Sequence, residues 1–290
     1  MVKDSVMYFV SSDIHSFFKP FKKALDKAGF DMKNKNHVLI INGDLFDRGP
    51  DSVKLYDFIR SIPQERRILI RGNHEDMLCD ICDKGYFEDY NLQNCTDQTI
   101  FQFVQNMQVP PSSSYNNIMS QMIASFKTLG IQDWIRSKEW RNYYELGPYI
   151  ITHSFIPLKD IGIESVYLEK YNHLSYIPDW RKLDPNCTEW TDAKWGCPFV
   201  LYYHFFQEER KNKKILVCGH WHVQDFHLKF EGKKNDSSIY CKDDLIGLDA
   251  CTAVSQRCNI LVIDSGSFNC FDGNGLLPLN PNKVCRENKS

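Results

Sequence analysis

Residues 43–50 read GDLFDRGP, and this stretch decides the fold class because it directly follows an apolar run at residues 38–41. That run has the length and the β-branched content of a buried strand. The residues after the stretch place Leu55 and Ile59 on one side of a helix, which residues 51–52 can cap. A strand, a polar loop and a helix in succession predict an α/β fold.

The same arrangement recurs at four other places, where a short apolar run ends at a polar cluster. The runs lie at residues 6–10, 68–70, 149–152 and 215–218. The polar residues that follow them include Asp13, Asn73, His153 and His220. Because functional loops of such sheets gather beyond the carboxyl ends of the strands, we expect these side chains to meet in one site.

The pattern changes to a helical one between residues 85 and 130. One apolar helical face surrounds Ile100 and another surrounds Met122, with a Pro-Pro-Ser-Ser-Ser break between them at residues 110–114. We therefore expect a helical insertion at 85–130, packed beside the site. Residues 158–214 have no clear period, which predicts loops with short helices.

The amino-acid composition excludes several classes of protein. The 290 residues carry a formal net charge of −2, with 42% hydrophobic and 25% charged residues, which excludes a disordered chain, collagen and a coiled coil. The near-neutral balance argues against binding to duplex nucleic acid. With no linker and no internal repeat, we predict one domain over residues 1–279 and a polar tail at 280–290.

Location follows from the same counts. No apolar run approaches the roughly 20 residues that cross a bilayer, and the apolar start of the chain is too short for the core of a signal peptide. Eleven cysteines, an odd number, do not form a complete disulfide framework. We therefore expect a cytoplasmic protein with reduced thiols and no membrane partner.

Seven side chains at the strand ends are candidate metal ligands, namely Asp13, His15, Asp44, Asn73, His153, His220 and His222. Nitrogen and oxygen donors without thiolates suit Mn²⁺, Fe or Zn²⁺. One four-coordinate ion does not use seven ligands, whereas two ions that share a bridging carboxylate do. Two such ions generate a nucleophilic hydroxide and stabilise both ends of an in-line phosphoryl transfer.

These residues carry a resemblance to the calcineurin-like metallophosphoesterases, whose five motifs occur here in family order. The longer stretches GDLFDRGP and RGNHE resemble the serine/threonine protein phosphatase branch, which includes bacteriophage lambda phosphatase. The resemblance covers about three quarters of the chain. The matching motifs are DIH at 13–15, GDLFDRG at 43–49, GNHE at 72–75, His153 and GHWH at 219–222.

The resemblance implies a fold and a set of metal-binding roles. The fold would be α/β (α+β), a single-domain sandwich of two mixed β-sheets flanked by helices, with the helical insertion. Asp44 would bridge two divalent metal ions, with Mn²⁺ as the leading candidate and Fe or Zn²⁺ as alternatives. The ligands of the first ion would be Asp13, His15 and His222, and those of the second Asn73, His153 and His220.

Three more residues receive roles in the same way. His74 would be the general acid that protonates the leaving oxygen, and Asp47 would orient it. Arg48 would bind the substrate phosphate through its planar fork of donors. A second phosphate-binding cation is expected between the last two motifs, where Arg181 and Lys194 are the candidates.

The implied function is hydrolysis of phosphomonoesters, with a phosphoprotein as the leading substrate, by direct attack of a metal-bridging hydroxide. A dinucleoside polyphosphate hydrolase or a phosphodiesterase is the nearest alternative. A non-catalytic scaffold that keeps the fold is the alternative from another class. One departure from the family pattern is Ser16, which stands where the first motif normally has glycine.

Overall fold

A computed structural model of the chain describes residues 5–106, 114–160, 174–198, 201, 209, 211–242, 244–272 and 275–277. The predicted tail at 280–290 and most of the Pro-Pro-Ser-Ser-Ser break lie outside these residues. Within them, no helix is both long and apolar enough to span a membrane. The strands, in chain order, are β1 (Met7–Ser11), β2 (His37–Asn42), β3 (Arg67–Ile70), β4 (Trp140–Arg141), β5 (Tyr143–Leu146), β6 (Tyr149–Thr152), β7 (Leu158–Asp160), β8 (Leu174–Tyr176), β9 (Ile215–Cys218), β10 (Tyr240–Lys242), β11 (Leu245–Gly247), β12 (Leu261–Asp264), β13 (Cys270–Asp272) and β14 (Gly275–Leu276).

Two mixed sheets contain most of these strands. The larger sheet has the order β14-β13-β12-β1-β2-β3-β4, in which β1 to β4 are parallel and β12 to β14 are antiparallel. The smaller sheet has the order β10-β11-β9-β6-β5, with β6, β9 and β11 parallel. The five strands that the sequence predicts before polar loops are thus β1, β2 and β3 in one sheet and β6 and β9 in the other.

The helices cover the outer faces of both sheets. Their bounds, in chain order, are α1 (Phe18–Lys27), α2 (Ser52–Ser61), α3 (Asn73–Lys84), α4 (Asp89–Gln93), α5 (Thr96–Val104), α6 (Tyr115–Lys127), α7 (Ile131–Arg136), α8 (Thr188–Ala193), α9 (Val223–Glu231) and α10 (Thr252–Ser255). Each of the first three strands is followed by one of the first three helices, so the predicted strand–loop–helix order is present.

Alternation along the strands builds the layers. On β2, Ile40 faces the smaller sheet, where it packs in one cluster with Ile151 and Val217. Its neighbours Leu39 and Ile41 point the other way, into the cluster that contains α2 and α3. Both faces of the larger sheet are therefore buried, as the continuous apolar runs require. The predicted sandwich of two mixed sheets flanked by helices is confirmed.

The start of α2 differs from the sequence prediction in its cap, whereas the insertion agrees with it. Asp51 occupies the cap position of α2, but its side chain makes no cap hydrogen bond and instead contacts Lys54 Nζ at 2.9 Å. The insertion contains α4, α5 and α6, with Ile100 and Met122 buried as predicted.

The prediction of loops and short helices over residues 158–214 was incomplete. Besides α8, this region contains the antiparallel pair β7 and β8, in which Leu158 pairs with Tyr176. Each strand has three residues, which is too short to produce a visible alternation in the sequence. Residues 161–173, which connect the two strands, lie outside the described part of the chain.

Candidate active site

The predicted site residues gather at the carboxyl ends of five strands, in the space between the two sheets. The larger sheet supplies the residues after β1, β2 and β3, and the smaller sheet supplies those after β6 and β9. Seven of the ten are almost completely buried: Asp13, His15, Asp44, Asp47, Asn73, His74 and His153. The ends of separate strands thus bring together side chains that are up to 207 residues apart, as the His220 amide and Asp13 carboxylate contact demonstrates.

Asp44 lies at the centre. Its Oδ1 is 3.3 Å from His153 Nε2, and its Oδ2 is 3.6 Å from His15 Nε2. Two groups of potential ligand atoms, each within 4.8 Å of one another, share this carboxylate: Asp44 with His15 and His74, and Asp44 with His153 and His220. A carboxylate common to two groups is the arrangement that a bridging ligand requires.

The histidine tautomers are set by backbone carbonyls. His15 Nδ1 donates to Phe46 O at 3.0 Å, and His153 Nδ1 donates to Asn42 O at 3.0 Å. The Nε2 atoms therefore present lone pairs to the centre, and that of His153 lies 2.9 Å from the Asn73 Oδ1 acceptor. Two buried acceptors that face each other, such as His153 Nε2 and Asn73 Oδ1, fit a cation bound between them. Imidazoles whose Nδ1 donates to a backbone carbonyl are also typical of metal ligands.

Buried carboxylates add to this fit. Both oxygens of Asp13 accept from the His220 amide, at 3.1 and 2.9 Å, and Ser12 Oγ donates to Oδ2. Burial raises the pKa of Asp13 well above its usual value, and the carboxylates of Asp249 and Asp44 raise it further. Three neighbouring carboxylates without a bound cation are costly in a buried site, so the donor set fits divalent metal ions.

Burial favours the neutral form of two of the site imidazoles, His15 and His220. Burial lowers the pKa of His15 well below its usual range, and the charge of His74 adds to this. Burial, and then the neighbouring His153 imidazole, lower the pKa of His220 to about 3. Neutral imidazole is the form that binds a metal ion, so these two side chains are ready to act as ligands at neutral pH.

His74 differs from its neighbours. Its Nδ1 is 2.7 Å from Asp47 Oδ2, and its Nε2 is 3.8 Å from Asp44 Oδ2. Burial lowers the pKa of His74, but the carboxylates of Asp44 and Asp47 outweigh it and raise the pKa above the usual value. An imidazole whose pKa is raised in this way suits a proton donor.

Arg48 reaches into the same space from the exposed side. Its Nη1 lies 3.0 Å from His15 Nε2, and its Nη2 lies 3.2 Å from His74 Nε2. Asn94 Oδ1 accepts a hydrogen bond from Nη2 at 3.2 Å. The guanidinium is therefore next to the candidate acid and the candidate ligands at once.

Like the predicted ligand Asp13, His222 lies outside both groups of ligand atoms. It is the residue before α9, its side chain is 43% exposed, and its Nε2 lies 3.8 Å from Asp249 Oδ2. Asp249 itself was missed by the sequence analysis. The signal was present, because Asp249 follows the strand β11 as the other site residues follow theirs.

Glu75 is a second residue that had no assigned role. Its buried carboxylate accepts from the amides of Asp44, Leu45 and Gly72, at 3.0, 2.8 and 2.8 Å. It thereby ties the loop after β2 to the start of α3. Burial, and then Asp44, raise the pKa of Glu75 to about 7.

The backbone at the site is strained. Six of the ten predicted residues have positive φ, which non-glycine residues rarely adopt: Asp13, His15, Asp44, Asp47, Arg48 and His220. Ser16 shares this conformation at φ 60°, and its Oγ lies 2.8 Å from Ser52 Oγ. Gly43, at φ 82°, has no room for a side chain because a Cβ would collide with the His153 ring. Such strain clusters at functional sites.

The two candidates for a second phosphate-binding cation differ in position. Arg181 bonds to both oxygens of Glu209, at 2.9 and 3.0 Å, and to Glu145, so its guanidinium is engaged outside the site. Lys194 is buried, pairs with Asp76, and borders a cleft that Asn73 also lines. Of the two, only Lys194 adjoins a predicted ligand among the described contacts.

Sequence comparison finds dinucleotide hydrolases and a phosphatase among the similar curated proteins. The symmetrical bis(5'-nucleosyl)-tetraphosphatase of Buchnera aphidicola is 28% identical over 171 residues, 58% of this chain and 52% of that protein. The asymmetrical enzyme PrpE of Bacillus subtilis is 22% identical over 226 residues, 72% and 83%. Serine/threonine-protein phosphatase 1 of Salmonella typhimurium is 38% identical over 72 residues, 25% and 31%. The chain spans about half the length of the Buchnera relative that it matches.

Structural comparison and a family model cover more of the chain. A cold-active protein tyrosine phosphatase has a similar fold, with a TM-score of 0.51 and 13% identity over 95% of this chain and 80% of that one. The model for calcineurin-like phosphoesterases matches residues 8–244, which include all ten predicted site residues. This chain therefore belongs to the calcineurin-like phosphoesterase family.

Proposed function

We propose that this protein is a metal-dependent hydrolase of phosphoric esters. One arrangement carries the proposal: the Asp47–His74 pair and the Arg48 guanidinium lie beside two groups of ligand atoms that share Asp44. A proton donor, a phosphate-binding cation and a cluster of metal ligands are the parts that hydrolysis of a phosphoester needs.

The residues divide into two kinds of role. When bound, two divalent metal ions, with Mn²⁺ favoured over Fe and Zn²⁺, supply an activated water and positive charge at the phosphate. Asp44 would contact both ions, and the remaining ligands would be Asp13, His15, Asn73, His153, His220 and His222.

The non-ligand residues act on the substrate directly. Arg48 binds two phosphate oxygens with its parallel N–H groups. His74 donates the proton on its Nε2 to the leaving oxygen. Asp47 accepts a hydrogen bond from the Nδ1–H, so the proton that is transferred is the one on Nε2. The imidazole then takes up a proton again from water.

Phosphomonoesters on protein side chains are the leading substrates. Arg48 is exposed although His74 is buried, so a phosphorylated side chain of another protein can reach the site from the surface. The local similarity to a serine/threonine-protein phosphatase supports the same substrate class.

A substrate panel tests this proposal. Purified protein is assayed on a phosphoserine peptide, a phosphothreonine peptide, p-nitrophenyl phosphate and diadenosine tetraphosphate, each with Mn²⁺, Fe²⁺ or Zn²⁺ and after chelation. We expect hydrolysis that needs the metal and that is lost in Asp44→Asn. Phosphate release that survives chelation, or no release from any substrate, contradicts the proposal.

Hydrolysis of dinucleoside polyphosphates is the second candidate, and a cleft favours it. The cleft, of about 420 Å³, begins at Asn73 and is lined by the half-exposed rings of Tyr90 and Trp195 as well as Arg71 and Lys194. Aromatic rings next to cations suit a nucleobase and its phosphates. The names of the Buchnera and Bacillus relatives point to the same class.

Trp195→Ala separates the two candidates. If the substrate is a dinucleotide, the KM for diadenosine tetraphosphate rises while that for p-nitrophenyl phosphate stays the same. If the substrate is a phosphopeptide, wild-type kcat/KM for the peptide exceeds that for the dinucleotide.

Elemental analysis tests the alternative of a non-catalytic scaffold. A protein that contains no metal after incubation with Mn²⁺ would support that alternative.

A further inference from the structure

Helix α5, within the insertion, contacts the partner of the candidate acid. Thr96 Oγ1 donates to Asp47 Oδ2 at 2.8 Å, and Thr99 Oγ1 donates to Asp47 Oδ1 at 2.9 Å. Thr99 Oγ1 also accepts from the Asp47 amide at 3.0 Å. Since His74 Nδ1 bonds to Oδ2 at 2.7 Å, both oxygens of this carboxylate are engaged.

The network is isolated from water. Asp47, Thr96 and Thr99 are completely buried, and His74 is 3% exposed. In such surroundings a hydrogen bond to a carboxylate is stronger than in water, and a missing one is not replaced by solvent. The two hydroxyls therefore determine how Asp47 is oriented.

The sequence spacing produces this contact. Thr96 and Thr99 are three residues apart in the first turn of α5, so they lie on one face of the helix. Thr96 is the first residue of this nine-residue helix, so Asp47 contacts its amino-terminal turn.

The same segment also holds the residues that follow Asp47. Asn94, just before α5, accepts from Arg48 Nη2 at 3.2 Å. Gln102 Nε2 donates to Gly49 O at 2.9 Å, and its Oε1 accepts from the Ser52 amide at 2.8 Å. The contacts of α5 with residues 47–52 are thus continuous rather than a single bond.

We propose that Thr96 and Thr99 are positioning residues that hold Asp47, and through it His74, in the orientation that directs Nε2 to the leaving oxygen. The proposal rests on the proposed function and gives the insertion a role in the reaction. In this role the hydroxyls act on the protonation of the leaving group. Their effect therefore depends on how strongly the leaving group needs a proton.

The test compares Thr96→Val, Thr99→Val and the double variant on phosphoserine and on p-nitrophenyl phosphate, whose leaving group needs little protonation. We expect kcat on phosphoserine to fall by about 10–100-fold, and kcat on p-nitrophenyl phosphate by less than about 3-fold. Thr96→Ser and Thr99→Ser, which keep the hydroxyl, should restore kcat. Thr128→Val, at the exposed end of α6 in the same insertion, is the control for the loss of a threonine hydroxyl away from Asp47.

Equal losses on both substrates, or no loss on phosphoserine, overturn the proposal. Elemental analysis and thermal unfolding of each variant verify metal content and folding. If the double variant does not fold, the single variants provide the same comparison.

Proton NMR gives a readout that does not need activity. Wild-type protein should show a downfield resonance of His74 Nδ1–H, identified by its loss in His74→Gln, which shifts in the valine variants and returns in the serine variants. An unchanged resonance in the valine variants overturns the proposal. If wild-type protein hydrolyses no substrate, the proposed function fails while this measurement still decides on the role of the two threonines.

Discussion

At the scale of single residues, the environment decides which histidine has which role. His15 and His220 are buried beside other imidazoles, which lowers the pKa of both. His74 is buried to a similar extent, but two carboxylates contact it and raise its pKa. We therefore propose that the same side chain serves as a neutral ligand in one position and as a proton donor a few ångströms away.

Replacement of His74 by Gln tests this division. We expect kcat on phosphoserine to fall by about 10²–10⁴-fold, because the leaving alkoxide is no longer protonated. The loss on p-nitrophenyl phosphate should be much smaller. His37→Gln, on the edge of β2, is the control. Equal losses on the two substrates would contradict the assignment of His74 as the acid.

Gly43→Ala measures the strain at the strand end. Gly29 and Gly43 both have positive φ, but a Cβ at Gly29 meets open space while one at Gly43 collides with His153. Alanine at Gly29 should cost about 1 kcal/mol of unfolding free energy. Alanine at Gly43 should cost at least about 2 kcal/mol more, with loss of bound metal. Urea unfolding of both variants measures the difference, and similar losses would show that the collision is relieved.

At the scale of elements, short apolar runs were sufficient to predict the five site-bearing strands, and the helical period of 3.6 residues was sufficient to predict α2, α5 and α6. Strands β7 and β8 were missed because three residues carry no period. The roles of Thr96, Thr99 and Glu75 were also missed, since their partners lie far away in the chain. Asp249 was within reach of the rule that found the other residues.

Glu209 supports the elements around β8 and provides a test at this scale. It accepts from Tyr176, Trp180 and Arg181. Burial raises its pKa, but these hydrogen bonds, those of Arg181 first, outweigh burial and hold the pKa below the usual value. Its stabilising contribution is therefore present above the pKa of the unfolded chain and is lost as pH falls through the folded pKa.

Glu209→Ala should lower the free energy of unfolding by about 2–3 kcal/mol at pH 7, less than for a fully buried pair because Arg181 is partly exposed. The difference from wild type should shrink below about pH 4. Values of kcat and KM should stay the same, since Arg181 is engaged outside the site. A raised KM would instead indicate that Arg181 binds substrate.

At the scale of the whole molecule, the site lies between two sheets that are themselves covered by helices. The family model and the sandwich agree with the sequence prediction of the fold. We propose that residues 1–279 form one domain, because the two sheets share one buried cluster.

Metal binding should stabilise this assembly. In the chelated protein, burial and the neighbouring carboxylates raise the pKa of Asp13, so stability falls as pH rises above the pKa of the unfolded chain. Mn²⁺ at a hundred times its dissociation constant should add about 2.7 kcal/mol. Asp13→Asn should raise the melting temperature of the chelated protein at pH 7 and reduce the increase caused by Mn²⁺. A chelated variant that melts below wild type would contradict this account.

Asn42 connects the two sheets at the site. Its side-chain Nδ2 donates to Thr152 O at 2.7 Å, and its backbone carbonyl accepts from His153 Nδ1. Neither sheet alone contains all of the predicted ligands. During synthesis, the amino-terminal half emerges with Asp13, Asp44 and Asn73 but without the imidazoles of residues 153–222. We therefore expect nascent chains to bind metal ions weakly, and full metal loading to follow only after long-range folding has joined the two sheets.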